Sequence, residues 1–115
     1  MAGTAFLPWE QWIARLLHPL YVAARRWLYA KRRQRSLAES KGWPEAEATI
    51  FAIGWDSSLP REEVSYSYCA KQEYYSGSHW HWFDKSDARE VRAGDRVAVR
   101  CNIEHPEESV FLRFL

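Results

Sequence analysis

The chain has few of the residues that define specialised classes of protein. Of its 115 residues, two are cysteines, five are prolines and five are glycines. Two cysteines are too few for a disulfide-stabilised miniprotein, and so little glycine and proline excludes a collagen-like or low-complexity chain. The formal net charge is only +1 at pH 7, which excludes a uniformly basic nucleic-acid-binding protein.

Long apolar runs are also missing. A membrane-spanning helix needs about 20 mostly apolar residues, whereas the uncharged run at residues 16–24 has nine and contains His18 and Pro19. A secretory signal peptide is not expected either, because no Lys or Arg precedes the apolar pair Phe6 and Leu7 and no small-residue cleavage site follows. The sequence therefore predicts no regular spanning helix, with a short or imperfect span as the alternative.

What the chain does contain is aromatic residues and two regions of opposite charge. Seven Trp, six Tyr and five Phe contribute to a hydrophobic fraction of 47%, which is typical of a globular protein. Residues 1–41 carry eight Lys and Arg against two acidic residues, whereas residues 42–115 carry eight against thirteen. We therefore predict a basic helical arm over residues 1–41 and a small acidic β domain over residues 42–115.

The arm is predicted to form two helices. Pro8 and Pro19 each suit the first turn of a helix, where the missing N–H would have no partner anyway. This indicates helices over about residues 8–17 and 19–40, and Gly42 with Pro44 then prevents continuation. On a helical wheel the apolar residues of each helix gather on one side. They are Trp9, Trp12, Ile13 and Leu16 in the first helix and Leu20, Ala24, Trp27, Leu28 and Ala38 in the second.

Such an amphipathic arm is typical of a helix that lies in a membrane interface. Residues 25–35 include six basic residues, each of which adds about 1 kcal/mol of attraction to an anionic leaflet. The residues predicted to contact an anionic membrane surface are Trp9, Trp12, Leu16, Trp27, Arg25, Arg26, Arg32 and Arg33. Two alternatives are open. The apolar side could pack on the β domain or on a second copy in a homo-oligomer, or the basic side could contact nucleic acid, which the acidic domain disfavours.

From Glu45 onward the apolar residues recur with a period of two, which predicts strands. In the first strand Thr49, Phe51, Ile53 and Trp55 are predicted to form the apolar face. The expected fold class is mainly β, a small antiparallel barrel or sandwich of five to six strands preceded by the amphipathic arm, and α+β overall. Further strands are predicted at residues 64–69, 74–82, 96–103 and 109–114, with turns at 71–73, 84–89, 93–95 and 104–108.

Four segments of the β domain resemble a bacterial family. They are Val64-x-Tyr66-x-Tyr68, Tyr75-Ser76-Gly77, Gly94-Asp95-x-Val97-x-Val99 and His105-Pro106-Glu107-x-Ser109-Val110. Their order is similar to that of the domain-of-unknown-function family 3592, over about residues 43–114. The resemblance implies a small β domain, commonly attached to membrane helices, with no catalytic residues.

The reactive side chains give weak indications of chemistry. His79 and His81 would point the same way from a strand and could share a metal ion, but the chain lacks the paired spacing of a zinc site. We expect the Trp rings of this strand on the buried face and the His rings in solvent, and therefore no metal and no cofactor. Cys69 and Cys101 are predicted on opposite faces, polar and core, so a disulfide is not expected. No activating motif flanks either thiol, and we expect no enzymatic activity.

Exposed aromatic residues give the better indication of function. The candidate surface for a protein partner consists of Tyr74, Tyr75, Trp80, Trp82 and Phe83. The favoured interpretation of these rings is nevertheless that they replace the aliphatic core that so small a β domain lacks. The sequence thus predicts a bacterial, membrane-associated accessory or scaffolding module at the cytoplasmic face of the inner membrane, or in the cytoplasm. One alternative is a single-stranded nucleic-acid-binding module that stacks bases on Trp80, Trp82 and Tyr75. The other is a metal-dependent enzyme that uses His79 and His81.

Overall fold

The computed structural model describes residues 8–83 and 90–115, with the side chains of residues 8–12 and 14 outside the description. Its elements are the helix α1 (Pro8–Glu39) and the strands β1 (Glu45–Trp55), β2 (Arg61–Ala70), β3 (Glu73–Trp82), β4 (Arg96–Cys101) and β5 (Ser109–Phe114). The strands form one curled, half-barrel sheet in the order β3-β2-β1-β4-β5. The predicted fold, mainly β with antiparallel strands that follow a helix in the chain, is confirmed. The turn predicted at residues 84–89 lies outside the described residues.

The chain divides into two compact units, Met1–Arg32 and Arg33–Leu115. We call them the helical unit and the β unit. The boundary falls within α1, and the part of the helix that belongs to the β unit bonds to the sheet. Both guanidinium nitrogens of Arg33 donate to backbone carbonyls of β5, to Phe111 at 2.8 Å and Leu112 at 3.0 Å. Arg100 of β4 donates to the Leu37 carbonyl at 2.9 Å, which satisfies one of the carbonyls that a helix end leaves unpaired.

The prediction of two separate helices is wrong, because α1 is one helix of 32 residues with Pro19 inside it. A proline inside a helix removes one backbone hydrogen bond and crowds the preceding turn, at a cost of about 3 kcal/mol. The segments on both sides are rich in Leu, Ala and Arg, which favour the helix. Propagation through these segments offsets the local cost.

The β2–β3 hairpin confirms the predicted connection, although its turn residues are unusual. Lys71 and Gln72 both have positive φ, 50° and 67°, as both central residues of a type I′ turn require. Pairing then runs without interruption from Ala70 with Glu73 to Arg61 with Trp82. The tight two-residue loop sets this register.

The predicted apolar face of β1 is wrong for three of its four residues. Ahead of Phe51 the even-numbered residues Ala48 and Ile50 are buried, and Thr49 and Phe51 are exposed. The pairing with β2 shifts between Ile50 and Ala52, and this β-bulge reverses the side-chain alternation, so that Ile53 packs against the core. Trp55, the last residue of the strand, is exposed. The turn before β4 contacts β1 at this bulge, since the Ile50 carbonyl accepts a hydrogen bond from the Gly94 N–H at 2.8 Å.

The core lies on the inner, concave face of the sheet. Its buried residues are Ala48, Ile50, Val64, Tyr66, Tyr68, Val91, Val97, Val99, Cys101 and Phe111. The sheet curls enough for β3 to approach β5, and Gly77 allows that approach because a Cβ there would lie 2.5 Å from the Ser109 hydroxyl oxygen and 2.6 Å from the Tyr66 hydroxyl. These two hydroxyls are themselves 2.8 Å apart and share a hydrogen bond, which is worth about 1 kcal/mol.

Candidate functional surfaces

The helical unit presents an apolar stripe to solvent. At 100° per residue its members cover one side of the helix, and each is at least 41% exposed, with Trp27 at 60%. Lys31 lies on the same side of the helix about one turn after Trp27, its ammonium nitrogen 5.7 Å from the centre of a Trp27 ring. We define the apolar stripe as Ile13, Leu16, Leu17, Leu20, Tyr21, Trp27 and Leu28. Trp9 and Trp12, which the sequence also predicts here, have side chains outside the described residues.

The predicted membrane-contacting arginines differ in what they contact. Arg26 and Arg32 are exposed and Arg25 is half-buried, all within the helical unit. Arg33 instead belongs to the β unit, where its guanidinium binds the β5 carbonyls and lies 5.6 Å from the centre of the Phe111 ring. The charge of the helical unit is therefore carried by arginines other than Arg33. Within the described part of the chain, no helix is both long enough and apolar enough to cross a bilayer.

The five aromatic residues predicted as a partner surface do not form one surface. Tyr74 is 82% exposed, whereas its neighbour Tyr75 stacks on the core residue Tyr68 with ring centroids 5.9 Å apart. Trp80 is half-buried under the guanidinium of Arg61, whose central carbon is 3.8 Å from the ring centre. These contacts follow from strand alternation, which sends successive side chains to opposite faces.

The two remaining members of that predicted surface lie at the end of β3. Trp82 is only 8% exposed and lies on the same side of β3 as Trp80, with the central guanidinium carbon of Arg61 5.3 Å from the centre of its ring. Phe83 is partly exposed and lies next to the exposed Trp55, with ring centroids 5.4 Å apart. The stacking surface of the nucleic-acid alternative is therefore not assembled either, because Tyr75 and Trp80 face opposite sides of the strand.

The prediction that the two strand histidines face solvent is wrong. His79 stacks on Phe111 inside the half-barrel with ring centroids 3.9 Å apart, and His81 is buried with its Nδ1 3.2 Å from a carboxylate oxygen of Glu62. Burial, and after it the charge of Arg33, lowers the pKa of His79 to about 3. Among residues 8–83 and 90–115, no group of three or more His, Cys, Asp or Glu side chains could hold a metal ion.

The predicted placement of the two cysteines is confirmed. Cys69 is exposed and Cys101 is buried, and both are free thiols. Burial raises the pKa of the Cys101 thiol, whose sulfur lies 3.5 Å from the Pro106 carbonyl oxygen. A thiol in this position packs as a small apolar group.

A polar groove, which no sequence pattern predicts, lies between the edge of β3 and the start of β5. It has a volume of about 420 Å³ and contains three carboxylates, from Glu39, Glu107 and Glu108. Its other described lining residues are Ser36, Trp43, Ser76, Gly77, Ser78, Ser109 and Val110. The sequence shows that Glu107 and Glu108 are adjacent to Ser109. It does not show that β3 approaches this segment.

Neither a protein family, a curated protein nor a solved structure matches the chain.

Proposed function

We propose that the protein is a non-enzymatic accessory module in which the helical unit binds an anionic membrane surface and the β unit contacts a protein partner. The observation that carries the membrane role is the apolar stripe, which is exposed along the helical unit and flanked by arginines. A stripe of Leu, Tyr and Trp beside basic residues is the pattern of a helix that lies in the membrane interface. Location at the cytoplasmic face of a bacterial inner membrane is part of the same proposal.

Two forces support this binding. Each large apolar side chain of the stripe gains about 1.5–3 kcal/mol when it leaves water completely, and interfacial burial recovers a part of that. Arg25, Arg26 and Arg32 add about 1 kcal/mol each near an anionic surface. Arg33 is expected to contribute little, because its guanidinium is held by the β5 carbonyls.

Membership of the β unit in the domain-of-unknown-function family 3592 is part of the proposal. Its signature segments lie on β2 and β3 and around β4 and β5. In the part of the chain that the structure describes, those segments supply core residues such as Tyr66 and Val97 and the close approach at Gly77. These residues pack inside the β unit, which suits a resemblance that implies no catalytic residues.

Co-sedimentation with vesicles tests the membrane role. Trp27→Glu places a charge in the middle of the apolar stripe, whereas His18→Glu places the same charge at an exposed position on the opposite side of the helix. We expect the Trp27 variant to lose binding to phosphatidylserine-containing vesicles and the His18 variant to keep most of it. Equal binding by the two variants, or equal binding to neutral phosphatidylcholine vesicles, would contradict the proposal.

A further inference from the structure

The edge of β3 has unused backbone hydrogen-bonding groups at the polar groove. β3 is the last strand at its end of the sheet order, so that only β2 pairs with it within the described residues. In a two-residue hairpin the pair next to the turn, Ala70 and Glu73, exchanges both hydrogen bonds. Alternation then assigns hydrogen-bonded pairs to Tyr75 and Gly77 and non-bonded pairs to Ser76 and Ser78.

The backbone N–H and C=O groups of Ser76 and Ser78 consequently point away from β2. Both residues line the groove, and the described part of the chain supplies no backbone partner for either one. Four backbone groups are therefore available to a strand that pairs with this edge. The segment lacks the proline, lysine or bulge with which natural proteins usually protect an exposed edge.

The walls of the groove determine which strand would fit. Glu39, Glu107 and Glu108 place three carboxylates around the edge, and no Lys, Arg or His is among its described lining residues. Outside the lining, the His105 ring nitrogen lies 3.5 Å from the Glu107 carboxylate, and the Asn102 amide donates to Glu108 at 3.1 Å. Glu39 comes from the end of α1 and the other two from the loop before β5, so that the carboxylates lie on different segments of the β unit. An extended segment with basic side chains would find complementary charge there.

We infer that the β unit binds an extended, basic peptide segment of a partner protein, which adds a strand to β3 at Ser76 and Ser78. Main-chain hydrogen bonds to the two serines supply affinity, and the carboxylates select Lys or Arg side chains. This inference names the partner surface of the proposed module. It rests on the proposed protein-contacting role and is independent of lipid binding.

Fluorescence anisotropy with the full chain, in the absence of vesicles, tests the inference. The probe is a labelled peptide of about eight residues that alternates Lys with Thr, and the comparison peptide alternates Glu with Thr. We expect the Lys peptide to bind with an affinity that falls as salt is added, and the Glu peptide not to bind. Equal binding of the two peptides would overturn the inference.

Variants separate the charge from the strand pairing. Glu39→Gln with Glu107→Gln should weaken binding of the Lys peptide by about tenfold. The matched control, Glu90→Gln with Glu104→Gln, changes exposed carboxylates outside both β3 and the groove and should leave binding unchanged. If both pairs weaken binding equally, the groove is not the site.

The strand pairing has its own readouts. Ser78→Pro removes one outward N–H and should weaken binding by about tenfold. A Lys peptide with methyl groups on alternate backbone nitrogens should also fail to bind the unaltered protein, whether or not the proline variant folds. Hydrogen exchange of the Ser76 and Ser78 amides should slow when the Lys peptide is added.

Two results would overturn the choice of occupant. Unchanged exchange at both serines while the peptide binds would show that no strand is added. A doubled mass in sedimentation equilibrium without peptide, abolished by Ser78→Pro, would show that the edge pairs with a second copy instead. Vesicle binding is measured separately, so that failure of peptide binding does not count against the membrane role.

Discussion

The imidazole ring of His79 lies flat on the phenyl ring of Phe111, with centroids 3.9 Å apart and planes 9° apart. The two residues come from β3 and β5, at opposite ends of the sheet order. The guanidinium of Arg33 approaches the same Phe111 ring. A neutral imidazole therefore forms part of the contact that closes the half-barrel, where a positive charge would be both desolvated and repelled.

This contact predicts a loss of stability in mild acid. In the unfolded chain His79 takes up a proton near its ordinary pKa of 6.5, whereas in the folded chain its pKa is lowered to about 3. The free energy of unfolding should therefore fall as the pH decreases below about 6.5, and this contribution levels off only near pH 3. His79→Phe keeps the stack and removes the titration. Between about pH 7.5 and about pH 5, the free energy of unfolding should fall by about 2 kcal/mol more in the unaltered chain than in the His79→Phe variant. Denaturation of both chains at the two pH values measures this difference.

Trp55 supplies the control for this experiment. It is 76% exposed at the end of β1, and Trp55→Phe changes no ionisable group, so that it should leave the pH dependence of the unaltered chain in place. If His79→Phe and the unaltered chain lose the same stability between the two pH values, the folded His79 is not kept neutral by its surroundings.

Removal of the Arg33 side chain should loosen the end of α1. Its guanidinium donates two hydrogen bonds to β5 carbonyls, at 2.8 Å and 3.0 Å. Arg33→Gln should lower the free energy of unfolding of the β unit by about 1.5–3 kcal/mol, because hydrogen bonds from a charged donor are lost. Urea denaturation followed by Trp fluorescence measures the change. Arg32→Gln, an exposed neighbour, should change it by less than about 0.5 kcal/mol, and equal effects would contradict the role of Arg33.

Gly77 should be intolerant of a side chain. A Cβ at this position would lie 2.5–2.7 Å from atoms of Ser109 and Tyr66, so that the approach of β3 to β5 would have to widen. We expect Gly77→Ala to lower the free energy of unfolding by about 1–3 kcal/mol. Gly54→Ala is the matched control in β1, because its Cβ would meet nothing within 4 Å. If both variants unfold at the same temperature, the contact between β3 and β5 at Gly77 is not tightly packed.

The sequence alone predicts which side chains are buried where the apolar residues alternate regularly along one strand. Val64, Tyr66 and Tyr68 of β2 are buried as their period of two predicts, and the predicted boundaries of β5 coincide with Ser109 and Phe114. The local hydrophobic pattern is enough in both strands. It predicts the buried side chains of β2, whose pairing with β3 has no register shift, and the bounds of β5.

Features that depend on distant segments could not be predicted in this way. The faces of β1 reverse at the bulge beside Phe51, where the Ile50 carbonyl accepts a hydrogen bond from the distant Gly94, and no local sequence pattern predicts that contact. His79 is buried because β3 approaches β5, and the same approach forms the polar groove. The binding of Arg33 to β5 joins residues 78 positions apart in the chain. A helical wheel places Arg33 only on the polar side of α1.

The β2–β3 turn offers a prediction of increased stability. Lys71 and Gln72 adopt left-handed φ values of 50° and 67°, which cost non-glycine residues about 1 kcal/mol each. Lys71→Asn with Gln72→Gly supplies the residues that a type I′ turn prefers. We expect the pair to raise the free energy of unfolding by about 1 kcal/mol, measured by urea denaturation. Lys71→Ala with Gln72→Ala removes the same side chains and keeps the strain, and should give no increase. A gain in the alanine variant as large as that in the Asn-Gly variant would show that the side chains, and not the backbone conformation, limit the stability of the hairpin.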